Sequence, residues 1–353
     1  MNHWLISKRV DLLVLLLPVW VCWAVFFLLP SSIIQADPPI WVWVVFVVGI
    51  DVSHVWSTLF RTYMDKEEFQ NHKKRLLLIP PLCFAGAFLL SSVSFEFFWR
   101  CLAYVAVYHF IKQQYGFMRI YKAKARDFRR KIFNDNFIIY LSMLYPVLYW
   151  HLNLDRNFNW FIENDFLQPQ LSEGLLAGFN WIGNALFIGL LTAWLIEELL
   201  RKGSIALGKV LWVLTTAGNW FIGIVYFNSD LVFTVTNVVA HGIPYLALVI
   251  FYQNRKHSLL KKSTNVLKYG LTVVGVVLLL ALSEEYLWDF FVYQENTTFF
   301  SSFLAYPDQA FSLGWQHLAL ALLSVPQTTH YILDGFIWKN NSSNPHLKTV
   351  LLG

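Results

Sequence analysis

The stretch "VDLLVLLLPVWVCWAVFFLL", residues 10–29, runs for twenty residues with a single charged side chain. At 1.5 Å per residue, a helix of that length covers about 30 Å, the thickness of a bilayer's hydrocarbon core. The residues in front of it, "MNHWLISKRV", give the basic flank of a signal sequence, but no small-residue cleavage site follows. The segment therefore reads as a retained first membrane span.

Working outward, further apolar segments of spanning length fall near 38–60, 76–94, 97–118, 132–151, 174–199, 208–227, 231–252, 267–288 and 310–338. None shows the strict alternation of a membrane β-barrel, so the expected fold is all-α: a polytopic membrane helix bundle of about ten transmembrane helices. Composition agrees, with 57% hydrophobic, 18% aromatic and only 14% charged residues. No linker, repeat or compositional shift divides the chain, which reads as one integral-membrane domain over residues 1–353. Cys22, Cys83 and Cys101 lie inside apolar runs without CxxC spacing, which argues against a disulfide framework or a thiolate metal site.

Charge sets the orientation. With the N-terminus in the cytoplasm, "FRTYMDKEEFQNHKKR" (60–75), "RIYKAKARDFRRK" (119–131), "RKGSIALGK" (201–209) and "NRKHSLLKKSTNVLK" (254–268) face inward together with both termini. That side then holds 24 of the 27 Lys and Arg, leaving Arg100, Lys112 and Arg156 elsewhere. The net charge of +5 is explained by this asymmetry, so nucleic acid is not an expected partner. The expected location is multi-pass in a bacterial inner membrane. Arg61, Arg119 and the lysines near them at the inner boundary read as topology-setting charge, with an acidic lipid headgroup or the anionic end of a substrate as the alternative partner.

Ionisable side chains inside a membrane are costly and usually functional. His3, His72, His257 and His346 fall in expected tails or loops, and His151 at the outer boundary. His317, in the last span, reads as an interhelical hydrogen-bonding group. His54, His109, His241 and His330 differ: they lie in the second, fourth, eighth and tenth spans, all running from outside to inside, roughly 7 to 14 residues before a basic boundary. At 1.5 Å per residue they share a depth to within about 10 Å and can converge. Each has polar companions three or four residues away on its own helical face: Asp51 and Thr58 for His54, Gln113 for His109, Asn237 and Tyr245 for His241, Gln327 and Asp334 for His330. Pro244 and Pro326 interrupt the backbone beside two of the four.

Imidazoles with nearby carboxylates suit iron, zinc or copper rather than magnesium or calcium. The four histidines are thus the candidate metal ligands, and Asp51, Asp334 and Gln113 the candidate catalytic groups. Asp51 and Asp334 either join the coordination of one or two metals or orient the histidines. An iron centre open to dioxygen and a lipophilic substrate, a carotenoid-like molecule or a lipid, fits this setting, with an electron donor if the chemistry needs one. Two other classes remain: a haem-binding electron-transfer protein and a proton-coupled transporter.

The order of an Asp/His span, a "His-Phe" span, a later His span and a final "HYILDGFIWK" (330–339) resembles the membrane-embedded bacterial β-carotene dioxygenases of the Brp/Blh type. The resemblance implies an all-helical oxygenase binding one ferrous iron through His54, His109, His241 and His330.

Overall fold

The structure, a computed structural model, describes residues 3–36, 38–128, 131–153, 160–162, 165–200, 205–260, 265–302, 304 and 312–353. Arg156, the basic residues at 129–130, 201–202 and 261–262, and positions 310 and 311 of the last expected span lie outside them.

The described residues hold helices and no strand. In chain order the main helices are α1 (Lys8–Leu28), α2 (Ile40–Arg61), α3 (Lys66–Val93), α4 (Phe95–Lys124), α5 (Asp135–Leu152), α6 (Glu173–Leu200), α7 (Leu207–Tyr226), α8 (Asp230–Leu259), α9 (Val266–Tyr293), α10 (Leu313–Leu323) and α11 (Val325–Ile337). Seven of these, α1, α2, α3, α6, α7, α8 and α9, are long and apolar enough to cross a membrane. The other three expected segments are also helical but more polar or shorter. α4 carries Glu96, Arg100, Lys112, Arg119, Lys122 and Lys124, α5 has 18 residues, and the last segment breaks at Ser324, ahead of Pro326.

The "FRTYMDKEEFQNHKKR" stretch, expected as a loop, is mostly the first turns of α3. Asp65 caps that helix, its Oδ1 accepting the N–H groups of Glu67 (3.0 Å) and Glu68 (3.1 Å). Such a cap satisfies donors that a helix start otherwise leaves unpaired.

The chain groups into two compact units, one built mainly from residues 1–40 and 106–244, the other from 41–105 and 245–351. The boundary falls within α4 and within α8.

In the first unit α7 packs on α1 and α5, and α5 on α6, around the fully buried rings of Trp150, Trp194 and Trp220. Asp11, the lone charge of the opening stretch, is fully buried and satisfied locally. Its carboxylate accepts the backbone N–H of Leu5 (2.6 Å) and Ile6 (3.0 Å) and the Tyr121 hydroxyl (3.0 Å). Gly208 permits close approach here, since a Cβ would lie 2.6 Å from the His3 carbonyl oxygen. Buried lysines are neutralised by carboxylates: Lys209 donates to Asp127 (2.5 Å) and Glu198 (3.0 Å), and Lys131 to Asp135 (2.6 Å) and to Glu198. Burial alone would raise the Asp127 pKa, but Lys209 and Lys131 outweigh it and hold the carboxyl at about 2. Burial would likewise lower the Lys131 pKa, yet its carboxylate partners raise it.

In the second unit α2 packs on α9 and α11, and α3 on α10 and α11. Arg61, at the end of α2, is fully buried rather than facing headgroups. It pairs with Glu68 (2.5 Å), donates to the Ile337 carbonyl (2.8 Å) and to Asn344 Oδ1 (3.2 Å), and lies 4.2 Å from the Tyr252 ring centre. His72, expected at the surface, is buried with its Nε2 2.9 Å from the same Asn344 oxygen. Lys256 joins Glu68 (3.0 Å) and Asp65 (2.9 Å). Burial pushes Asp65 up, but the Lys256 ammonium brings it below the usual carboxylate range.

Candidate metal centre

His54 and His330 belong to the second unit, on α2 and α11. Their buried rings stand edge to face, centroids 5.0 Å apart and planes at 80°. The two helices share a register: seven residues beyond each histidine, Arg61 of α2 donates to the carbonyl of Ile337 of α11. Backbone geometry contributes as well, because α2 is π-helical over Trp43–Val52, immediately before His54. Such widened turns recur at functional sites.

Around this pair runs a chain of polar side chains. Thr58 Oγ1 lies 2.7 Å from His330 Nδ1 and 3.1 Å from the Tyr245 hydroxyl, which donates to Asp334 Oδ1 at 2.6 Å. The Tyr245 ring stands edge-on to both imidazoles, at 5.6 Å from His54 and 5.0 Å from His330. Asp51 Oδ1 is 3.5 Å from His54 Nδ1 and Asp334 Oδ1 is 3.8 Å from His330 Nδ1, neither a hydrogen bond.

His109 and His241 belong to the first unit, on α4 and α8, again edge to face at 5.0 Å and 81°. The Phe110 ring lies 4.2 Å from that of His241. Pro244 has no N–H, so it cannot serve the carbonyl four residues earlier, that of Ala240. Gln114 Nε2 donates to that carbonyl at 3.1 Å, and Gln113 Nε2 to the carbonyl of His241 at 2.8 Å. Two consecutive glutamines of α4 thus splint the proline-disrupted turn that carries His241. From spacing alone Gln113 is a companion of the His109 ring, yet its donor goes to the neighbouring helix.

Each of His54, His109, His241 and His330 offers one ring nitrogen, and these atoms all lie within 4.8 Å of one another, every residue buried. Nitrogens ligating one ion at about 2.1 Å are at most about 4.2 Å apart. The four could hold a metal ion. Asp51 and Asp334 are not among the converging groups.

Against family models, curated proteins and solved structures, the chain has no match.

Four of the remaining histidines make other contacts. His346 Nε2 is 2.8 Å from Glu67 Oε1, His317 stacks on Phe95 at 4.3 Å, His151 Nδ1 is 2.7 Å from the Val147 carbonyl, and the His257 ring meets Tyr269 edge-on at 5.9 Å. Gln327, a spacing companion of His330, instead donates to the Tyr331 hydroxyl at 2.7 Å. All three cysteines are free thiols. The Gln114 splint was missed at the sequence level, although Pro244 beside a candidate ligand signalled that some donor had to replace its absent N–H.

Proposed function

We propose that His54, His109, His241 and His330 hold a single iron ion in a membrane-embedded oxygenase acting on a lipophilic substrate. The observation carrying this reading is the convergence of four buried imidazole nitrogens within 4.8 Å. An all-imidazole donor set disfavours magnesium and calcium and accepts iron, zinc or copper. Iron is favoured by the resemblance to the Brp/Blh-type dioxygenases, which also points to a carotenoid-like substrate ahead of other lipids. Iron held this way would supply dioxygen activation. The chain's own groups bury the site, orient the imidazoles and exclude water, Asp51 and Asp334 acting from the Nδ1 side and Gln113 through the backbone of His241.

A haem pair is less compatible with this geometry. Two axial histidines must leave a macrocycle between them, and two more nitrogens within 4.8 Å would occupy its place. The topology we propose has ten crossings and both termini cytoplasmic, in a bacterial inner membrane. It draws support from helices at all ten apolar segments and from the bias of Lys and Arg toward one set of loops.

Metal analysis of gently purified protein tests the reading. The expected result is about one iron per chain, lost in His109→Ala and in His330→Ala but retained in His257→Ala. Full metal retention in both core variants overturns it. Mass spectrometry of co-purifying lipids then identifies the substrate class.

A further inference from the structure

We infer that Thr58, Tyr245 and Asp334 form a directional hydrogen-bond chain that fixes the tautomer of His330 and turns its Nε2 toward the metal, a deepening that rests on the four-histidine reading above. Donor counting gives the direction. Tyr245 has one hydroxyl proton, and Asp334 Oδ1 accepts it at 2.6 Å. The tyrosine oxygen can then only accept in its 3.1 Å contact with Thr58, so the threonine proton points to Tyr245. With that proton committed, Thr58 Oγ1 can only accept in its 2.7 Å contact with His330 Nδ1. The proton of neutral His330 therefore sits on Nδ1, and Nε2 carries the lone pair that a metal requires.

Three of the four members of the hydrogen-bond chain are buried, and Asp334 is only partly exposed, its side chain at 12%. Thr58, Tyr245 and His330 are 5%, 1% and 1% exposed, so water does not compete for these bonds. Its members come from three helices, α2, α8 and α11, and the acceptor at the far end decides the state of the ring at the near end. Asp334 is a helical turn from His330 in sequence but too far for a direct bond, at 3.8 Å from Nδ1. Its influence reaches the imidazole through the hydroxyls of two other helices. All three are positioning residues. They act on the ligand, and a metal-ligating histidine whose other nitrogen is held this way is both oriented and made more basic.

The test reads the tautomer in metal-free protein and is independent of whether iron binds. Nitrogen-15 spectra of histidine-labelled apoprotein in lipid, with the His330 signals assigned by their absence in His330→Gln, should show a protonated Nδ1 and an unprotonated Nε2. Tyr245→Phe, which cuts the chain without removing Thr58, should yield a mixture of tautomers and weaken metal binding about 10- to 100-fold in a chelator competition. Thr58→Ser, which keeps the oxygen, should preserve both. A proton on Nε2 in the unsubstituted protein, or an unchanged tautomer in Tyr245→Phe, overturns the inference. Loss of metal binding by all proteins with the tautomer pattern intact would count against the iron site and leave the chain standing.

Discussion

The two histidine pairs share a geometry and differ in how they achieve it. His54 with His330 and His109 with His241 both stand edge to face at 5.0 Å. Behind the first pair lie hydroxyls and a carboxylate that contact ring nitrogens or one another: Thr58, Tyr245 and Asp334. Behind the second lie amides that bind main-chain carbonyls, Gln113 on His241 and Gln114 on Ala240. In the first pair a hydroxyl meets a ring nitrogen, and beside the second the amides hold the backbone of the turn that carries His241. Hydrogen bonds of similar length thus reach a ring nitrogen in one place and mend a helix backbone in the other.

The sharpest way to break this contrast is Thr58→Val, which removes the oxygen at His330 while keeping side-chain volume nearly constant. Metal affinity, read by chelator competition, is expected to fall about 10- to 100-fold. Gln113→Leu in the same assay should cost less than about threefold, because its amide touches no ring nitrogen of the pair. Equal losses in the two variants would show that both pairs depend on the same kind of support.

A smaller effect tests the splint. Gln114→Leu leaves the Ala240 carbonyl without its amide donor and should lower the unfolding free energy of the detergent-solubilised protein by about 1 kcal/mol. That is the low end for a buried acceptor, since a helical carbonyl can share a neighbouring N–H. In a Pro244→Ala background the restored N–H serves the carbonyl, and the cost of Gln114→Leu should shrink below about 0.5 kcal/mol. An undiminished cost there would mean that Gln114 stabilises through packing or through the Thr216 hydroxyl, which donates to its Oε1 at 3.0 Å, and that the proline is incidental.

These tests also mark how much was legible in the sequence. Apolar runs long enough to span a membrane located helices at every expected segment, because hydrocarbon leaves a helix as the simplest way to satisfy a backbone. The four histidines could be chosen from ten because intramembrane imidazoles are costly and these shared one depth. Partnerships were less accessible. Helical spacing assigns Gln113 to His109 and Gln327 to His330, yet a side chain on an inward face can reach a neighbouring helix, whose identity lies far away in sequence. Arg61 and Asn344 are separated by 283 positions, and a charge-bias reading counts such an arginine as boundary charge when it is a buried clasp. Hydropathy also locates only the greasy middle of a helix, so the start of α3 at Lys66 depended on the Asp65 cap.

The smallest expected effect lies away from both pairs, and it sharpens the contrast by showing what does not reach them. Asp127, between α4 and α5, is held at about 2 from an ordinary value near 3.8, with burial opposing the shift and Lys209 and Lys131 producing it. A depressed carboxyl adds stability that is fully present above the unfolded pKa and is lost as pH falls through the folded one. The contribution of Asp127 is therefore intact above about pH 4 and disappears progressively toward pH 2. Thermal unfolding of apoprotein in detergent across that window should fall with acid, and Asp127→Asn should flatten part of the fall. Near neutrality the same variant should bind metal as the unsubstituted protein does, since the Asp127 carboxylate pairs with Lys131 and Lys209. A drop in metal affinity in Asp127→Asn at neutral pH would show that the lysine clasp, too, positions His109 and His241, and the contrast between ring contacts and backbone contacts would have to include it.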